Sequence, residues 1–208
     1  METFIAKAYY ACDYLGLKGV KMKVIGIVGS PRIGGNTEDL TRIALEEIEK
    51  EGIETELIRL SGKKIEPCDG CRSCRTKKEC HIKDDFFPIF EKVVQADGLI
   101  LATPVYYGAA TPQMTSFISR FYAYEEKPLH HKVGGPIVVA RRAGHNFTFA
   151  QLMFFFMIHE MIVPGSTYWN VAFGREKGEV QKDEEGIRTI RNFAQNMSWL
   201  IKKIKRKK

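Results

Sequence analysis

No stretch of this 208-residue chain is apolar for anything near the roughly 20 residues that a bilayer-spanning helix requires, so no membrane segment is expected. Residues 1–21 lack the pattern of a secretory leader. Lys7 and Asp13 interrupt any apolar region, and no small-residue cleavage site follows. A cytoplasmic protein is therefore expected. The net charge of +7 comes without a basic tract interleaved with aromatics, so nucleic-acid binding is not expected. The only dense basic run is the tail "IKKIKRKK". There is no internal repeat and no sign of a second domain. Neither G-x-x-x-x-G-K-[ST] nor G-x-G-x-x-G occurs. Cysteine is scarce outside one place: Cys12 stands alone, and the other four fall between Cys68 and Cys80.

What is present is alternation. "MKVIGIVGS" is a short β-branched run ending in glycine, which predicts a buried strand. Leu40, Ile43, Ala44, Leu45 and Ile48 repeat with helical spacing and predict a helix over 36–50, ended by Gly52. "IETELIRL" predicts strand two, "ADGLILATP" strand three, "GGPIVVAR" strand four and "IVPGSTYWN" a short fifth strand. Helices are predicted in "DDFFPIFEKVVQA", "TPQMTSFISRFYAY", "NFTFAQLMFFFMIHEM" and "DEEGIRTIRNFAQNMSWLIKKIK". Asp84 and Asp85 fall in the first turn of the first of these, where negative charge favours the helix dipole. Strands that alternate with helices argue for a parallel sheet covered on both faces, with any ligand at the carboxyl ends of the strands. Residues 1–21 precede strand one as an extension, expected to be helical, and 22–208 form the domain.

"GSPRIGGNTEDL", directly after strand one, suits a phosphate. Its glycines let the backbone approach closely, Ser30, Asn36 and Thr37 offer short polar groups, and a helix N-terminus follows. Arg32 can add a charged contact. The blander reading is a polar turn with an N-cap at Asn36 or Thr37. After strand three, "TPVYYGAATPQM" places Val105, Tyr106 and Tyr107 where a planar ring could lie. The free amides of the helix that starts near Thr111 would face it. The alternative is that both tyrosines simply pack. After strand four, "ARRAGHNFT" adds Arg141, Arg142 and His145, with Gly144 permitting close approach.

These three segments, with the cysteine run and its "IKDD", closely resemble the flavodoxin-like FMN reductases over about residues 22–170, and most of all the archaeal iron–sulfur flavoproteins. The resemblance implies a doubly wound five-stranded parallel sheet of order 2-1-3-4-5, with a cysteine-bearing loop at 61–85 after strand two. It also implies FMN as cofactor. Carried over by position, Ser30, Arg32, Gly35, Asn36 and Thr37 would hold the FMN phosphate. Pro104, Val105, Tyr106, Tyr107 and Gly108 would line the isoalloxazine, with Arg142 and Gly144 on its other side. A homodimer or homotetramer is likewise implied.

"PCDGCRSCRTKKEC" has the spacing C-x2-C-x2-C-x5-C. In a reducing compartment such clusters bind metal or do redox work. Four thiolates are the usual complement of a [4Fe–4S] cluster. Two x2 gaps let Cys68, Cys71 and Cys74 converge, and the x5 gap lets Cys80 return. Zinc is a second reading, although its sites usually pair two knuckles across a longer spacer. Bare or redox-active thiols are the third, since cluster-free FMN reductases carry similar runs. From Lys63 to Lys83 there are seven Lys or Arg against Glu66, Asp69 and Glu79. Such a basic rim suits an acidic carrier such as ferredoxin. The expected activity is electron transfer from that carrier through a [4Fe–4S] cluster to FMN and on to a small acceptor. The rivals are an NAD(P)H-dependent FMN or quinone reductase without a cluster, and a non-catalytic FMN carrier.

Overall fold

The computed structural model describes residues 22–77, 79–123 and 128–205. The helix expected in 1–21, Cys12, Lys78 and the last three residues of the basic tail lie outside them. The strands are β1 (Lys23–Val28), β2 (Glu54–Arg59), β3 (Gly98–Pro104), β4 (Val133–Ala140) and β5 (Val171–Phe173). They form one sheet of order β2-β1-β3-β4-β5 in which every pairing is parallel. The helices are α1 (Asn36–Lys50), α2 (Ser73–Lys77), α3 (Phe86–Gln95), α4 (Pro112–Ser119), α5 (His145–Ile158) and α6 (Glu184–Lys205).

The period of two along each strand sorts the core into halves. Ile25, Ile27, Leu99, Leu101 and Val138 face α3, α4 and α5. Phe86, Phe90, Phe117, Phe121 and Phe155 interlock there, with centroids such as Phe117–Phe121 and Phe121–Phe155 5.2 Å apart at steep angles, the favoured edge-to-face arrangement. Val24, Ile100, Ala102, Ile137 and Val139 face the opposite way, onto α1 and α6. Central strands buried on both sides are what an all-parallel sheet requires.

One expected element moves. The segment Ile162–Asn170 is not a strand. Ile162 makes a single bridge to Val133, and the fifth strand begins at Val171. The polar side chains of the segment explain the shift. Ser166 Oγ donates to Thr189 O of α6 (2.6 Å) and Asn170 Nδ2 to Pro136 O (3.1 Å), which commits them away from a ladder. Within the cysteine loop the structure adds the short α2, which the sequence did not predict. No helix of the described residues is long and apolar enough to cross a membrane.

Candidate flavin pocket and cysteine loop

The carboxyl ends of β1, β3, β4 and β5 open onto one cavity of about 390 Å³. Ser30, Arg32 and Gly35 line it from the loop after β1, Asn36 and Thr37 from the start of α1, Pro104 from the end of β3, and Val105 and Tyr106 from the loop that follows. Arg141 lines it from the loop after β4. Tyr107, Gly108, Arg142 and Gly144 are not among the lining residues; Tyr107 and Arg142 are exposed, and Gly108 and Gly144 pack against each other behind Val105.

α1 starts at the floor of this cavity. Its N-cap is Gly35, which offers no side-chain acceptor, so the first-turn N–H groups keep their positive end free. Lys177 Nζ lies close over Gly34, 3.1 Å from where a Cβ would sit, and Arg32 is exposed beside it. A helix N-terminus without a cap and with cations at its mouth is suited to a doubly charged anion. The side chain of Asn36, by contrast, is already committed. Its Nδ2 donates to Glu176 O (2.8 Å), and its Oδ1 accepts the N–H of Val180 (3.3 Å). It ties the loop after β5 to α1, leaving its backbone N–H for a ligand.

Glu38 holds the same loop from beneath. It is buried, accepts the Gly34 N–H at 2.9 Å, and takes Arg42 (2.8 Å) and Arg59 (2.6 Å) on one oxygen. The Arg59 guanidinium, more than any other contact, pulls its carboxyl down to about 2. Neither Glu38 nor the Gly174–Lys177 segment was identified from the sequence. The available signals were a Glu–Arg pair at i,i+4 and a basic glycine-started turn after a strand.

The loop after β3 is a two-residue hairpin. Tyr106 and Ala109 exchange both backbone hydrogen bonds, and Tyr107 and Gly108 sit at φ 51° and 78°. Two left-handed residues make this a type I′ turn, and it projects the Tyr107 ring fully into solvent. Gly144 backs the turn. At φ 85°, its hydrogens stand where a Cβ would meet Val105 Cγ1 at 3.0 Å and Gly108 Cα at 3.1 Å. It also caps α5 without a side chain, while the next residue, His145, keeps a buried Nδ1 without a partner. The N-terminus of α4 differs from the sequence expectation of free amides. Thr111 Oγ1 caps it by accepting the Met114 N–H, and donates to Gly29 O (2.6 Å). These features fit a planar, anionic cofactor: an uncapped helix end for its phosphate and a glycine-backed turn for its ring.

The cysteine run lies beyond the other end of α4. All four thiols are free; Cys71 is exposed and Cys68, Cys74 and Cys80 are half-buried. Left-handed Gly70 and Arg72 (φ 72° and 61°) bend the chain on either side of Cys71. Asp84 and Asp85 do more than face the helix dipole of α3. Asp84 Oδ1 accepts the Phe86 N–H, its other oxygen accepts the Glu66 N–H and pairs with buried Arg120 at 2.7 Å, and Asp85 accepts the Lys64 N–H. Together they staple both ends of the run to the body. Among the described residues one set of three metal-ligating groups gathers within 4.8 Å: Asp69, Cys71 and His81. The four soft, uncrosslinked thiols match the donor set of an iron–sulfur cluster.

Sheet order and pocket together define a flavodoxin-like α/β protein with its ligand cavity at the carboxyl ends of the strands. Solved structures share the fold: RosB carrying a bound 8-demethyl-8-formylriboflavin-5'-phosphate intermediate (TM-score 0.74, 22% identity, 89% of this chain and 81% of that one), and a WrbA-like flavodoxin from Agrobacterium tumefaciens (TM-score 0.64, 14% identity, 88% and 99%). Residues 22–176 match the NADPH-dependent FMN reductase family, and the chain belongs to it. Among curated proteins it is similar to an iron–sulfur flavoprotein of Methanocaldococcus jannaschii, at 40% identity over 89% of this chain and 100% of that one. It is also similar to an iron–sulfur flavoprotein of Methanosarcina thermophila, at 33% identity over 89% and 98%.

Proposed function

We propose that this chain is itself an iron–sulfur flavoprotein: Cys68, Cys71, Cys74 and Cys80 hold a [4Fe–4S] cluster, FMN occupies the pocket, and electrons enter from an acidic ferredoxin-like carrier and leave to a small acceptor. The observation that carries the reading is four free thiols at C-x2-C-x2-C-x5-C on one stapled loop, in a chain similar over nearly its whole length to proteins of that name. When bound, the cluster supplies one-electron chemistry and FMN both one- and two-electron chemistry.

The chain's own residues do the rest. The N–H groups of Asn36 and Thr37 receive the phosphate, with Arg32 and Lys177 offsetting its charge. Ser30, whose Oγ accepts the Arg32 N–H at 3.1 Å, fixes the turn that brings them there. Pro104, Val105 and Tyr106 flank the ring, and Gly108 and Gly144 support that flank. Arg141 in the wall, with exposed Arg142 next to it in the chain, favours negative charge on a reduced flavin. Arg72, Arg75 and Lys77 are exposed around the cysteines, so they can steer an acidic donor. α5 exposes Phe147, Phe154, Met157 and Ile158, an apolar face that a second copy of the chain would cover in a homodimer or homotetramer.

Stopped-flow reduction of the flavin, run anaerobically over a salt series, tests the reading. Ferredoxin should reduce FMN quickly at low salt and more slowly as screening shortens the steering field to about 8 Å. Replacing Arg75, Lys77 and Lys78 with Gln should flatten that dependence. Fast reduction by NADPH, with slow and salt-independent reduction by ferredoxin, would replace this reading with a cluster-free NADPH reductase.

A further inference from the structure

The first and last cysteines are both held by the end of one helix outside their own loop. The Cys68 N–H donates to Ser119 Oγ at 3.1 Å, and Arg120 Nη2 lies 3.4 Å from Cys80 Sγ. Ser119 closes α4 and Arg120 follows it directly. Arg120 is 2% exposed, an unusual place for a cation. Its guanidinium spans the cysteine run. Nη1 donates to Glu66 O (3.1 Å) and to Asp84 Oδ2 (2.7 Å), Nη2 donates to Ile82 O (3.3 Å), and the cation sits 4.7 Å over the Phe86 ring. Pairing with Asp84 would by itself need only one charged nitrogen. The planar fork of arginine is what allows carboxylate, two carbonyls and a sulfur to be served at once.

On the reading that these cysteines carry a cluster, we propose that Arg120 is its positioning residue. It presents Cys80 as the closing ligand and donates a hydrogen bond to that ligand's sulfur, which raises the cluster's reduction potential. A donor aimed at a cluster sulfur stabilises the more negative, reduced state. Ser119 does the lesser part of the same work by fixing the backbone at Cys68. At its other end α4 is capped by Thr111, whose hydroxyl is bonded to Gly29 O beside the phosphate loop. One eight-residue helix therefore fixes how the cysteine run stands relative to the flavin pocket.

The test uses the anaerobically purified, FMN-loaded protein and two variants, Arg120→Lys and Ser119→Ala. Lysine keeps a cation for Asp84 but cannot reach Cys80 as well. Arg120→Lys should bind FMN as the wild type does, lose iron to a chelator about tenfold faster or more, as is usual when a partner of a metal ligand is removed, and show a lower midpoint potential by spectroelectrochemistry. Ser119→Ala should lose iron faster by a smaller factor, at unchanged potential. Wild-type iron retention and potential in an Arg120→Lys protein that binds FMN would overturn the proposal. Should Arg120→Lys fail to fold, unchanged iron loss in Ser119→Ala would count against it. If the wild type itself holds no iron, the cluster reading falls, and hydrogen exchange of the metal-free protein decides the positioning role. Amides in 66–85 should exchange faster in Arg120→Lys, and equal rates would refute it.

Discussion

Glu38→Gln removes one negative charge from beneath the phosphate loop while keeping the side chain's shape. In the wild type the carboxylate is buried and meets two guanidinium groups and the Gly34 N–H. Its pKa falls from 4.5 to about 2, chiefly through Arg59. At about 1.4 kcal/mol per pH unit, that difference amounts to roughly 3 kcal/mol of folding stability at neutral pH. Arg42 and Arg59 are 47% and 37% exposed, so water already screens part of it, and about 2 kcal/mol is a fairer figure. For a chain of this size that corresponds to a fall in Tm of about 4–8 °C. The sign follows from the direction of the shift. A carboxyl whose folded pKa is depressed contributes fully above its unfolded pKa of 4.5, and the contribution is lost as pH falls towards about 2. Urea unfolding of the FMN-free wild type and Glu38→Gln at pH 7, 4 and 3 reads this directly. The gap should be widest at pH 7 and shrink below about pH 4.5. A variant as stable as the wild type at pH 7, or a gap that ignores pH, would refute the reasoning.

Arg32→Ala should weaken FMN about fivefold to tenfold and riboflavin hardly at all, because an exposed arginine supplies a charged hydrogen bond of only about 1–1.5 kcal/mol to a phosphate that riboflavin lacks. Titration with both flavins checks it. Gly144→Ala should instead weaken both flavins alike and lower stability by about 2 kcal/mol, since a residue at φ 85° is strained and its Cβ presses on Val105 and Gly108. Cys71→Ser should abolish iron binding and leave FMN bound, as metal and flavin analysis of the variant would show.

Much of the fold was legible because its signals are local. β-branched runs such as Val24–Val28 and Leu99–Ala102 mark strands buried on both faces, and the glycine-rich turn at Gly34 and Gly35 marks the helix that faces the ligand. The fifth strand was misplaced because "IVPGSTYWN" is as apolar as a strand, whereas what decides it is Ser166 and Asn170 bonding to distant α6 and β4. The site was legible where it is made of loops directly following strands, at Ser30–Thr37 and Pro104–Tyr106. Arg175 and Lys177 became part of it only because β5 lies beside β4. Glu38 and Arg120 owe their roles to partners 21 and 36 residues away, Arg59 and Asp84, and no periodicity in the sequence announces such pairs. Asn36 was expected to hold a phosphate through its side chain, and that side chain instead binds the loop after β5.

The most direct measurement of the central claim is iron, acid-labile sulfide, zinc and FMN determined together on protein purified without oxygen. A cluster on Cys68, Cys71, Cys74 and Cys80 predicts about four iron and four sulfide per FMN, with negligible zinc. One zinc per chain, or FMN with no metal at all, would contradict it.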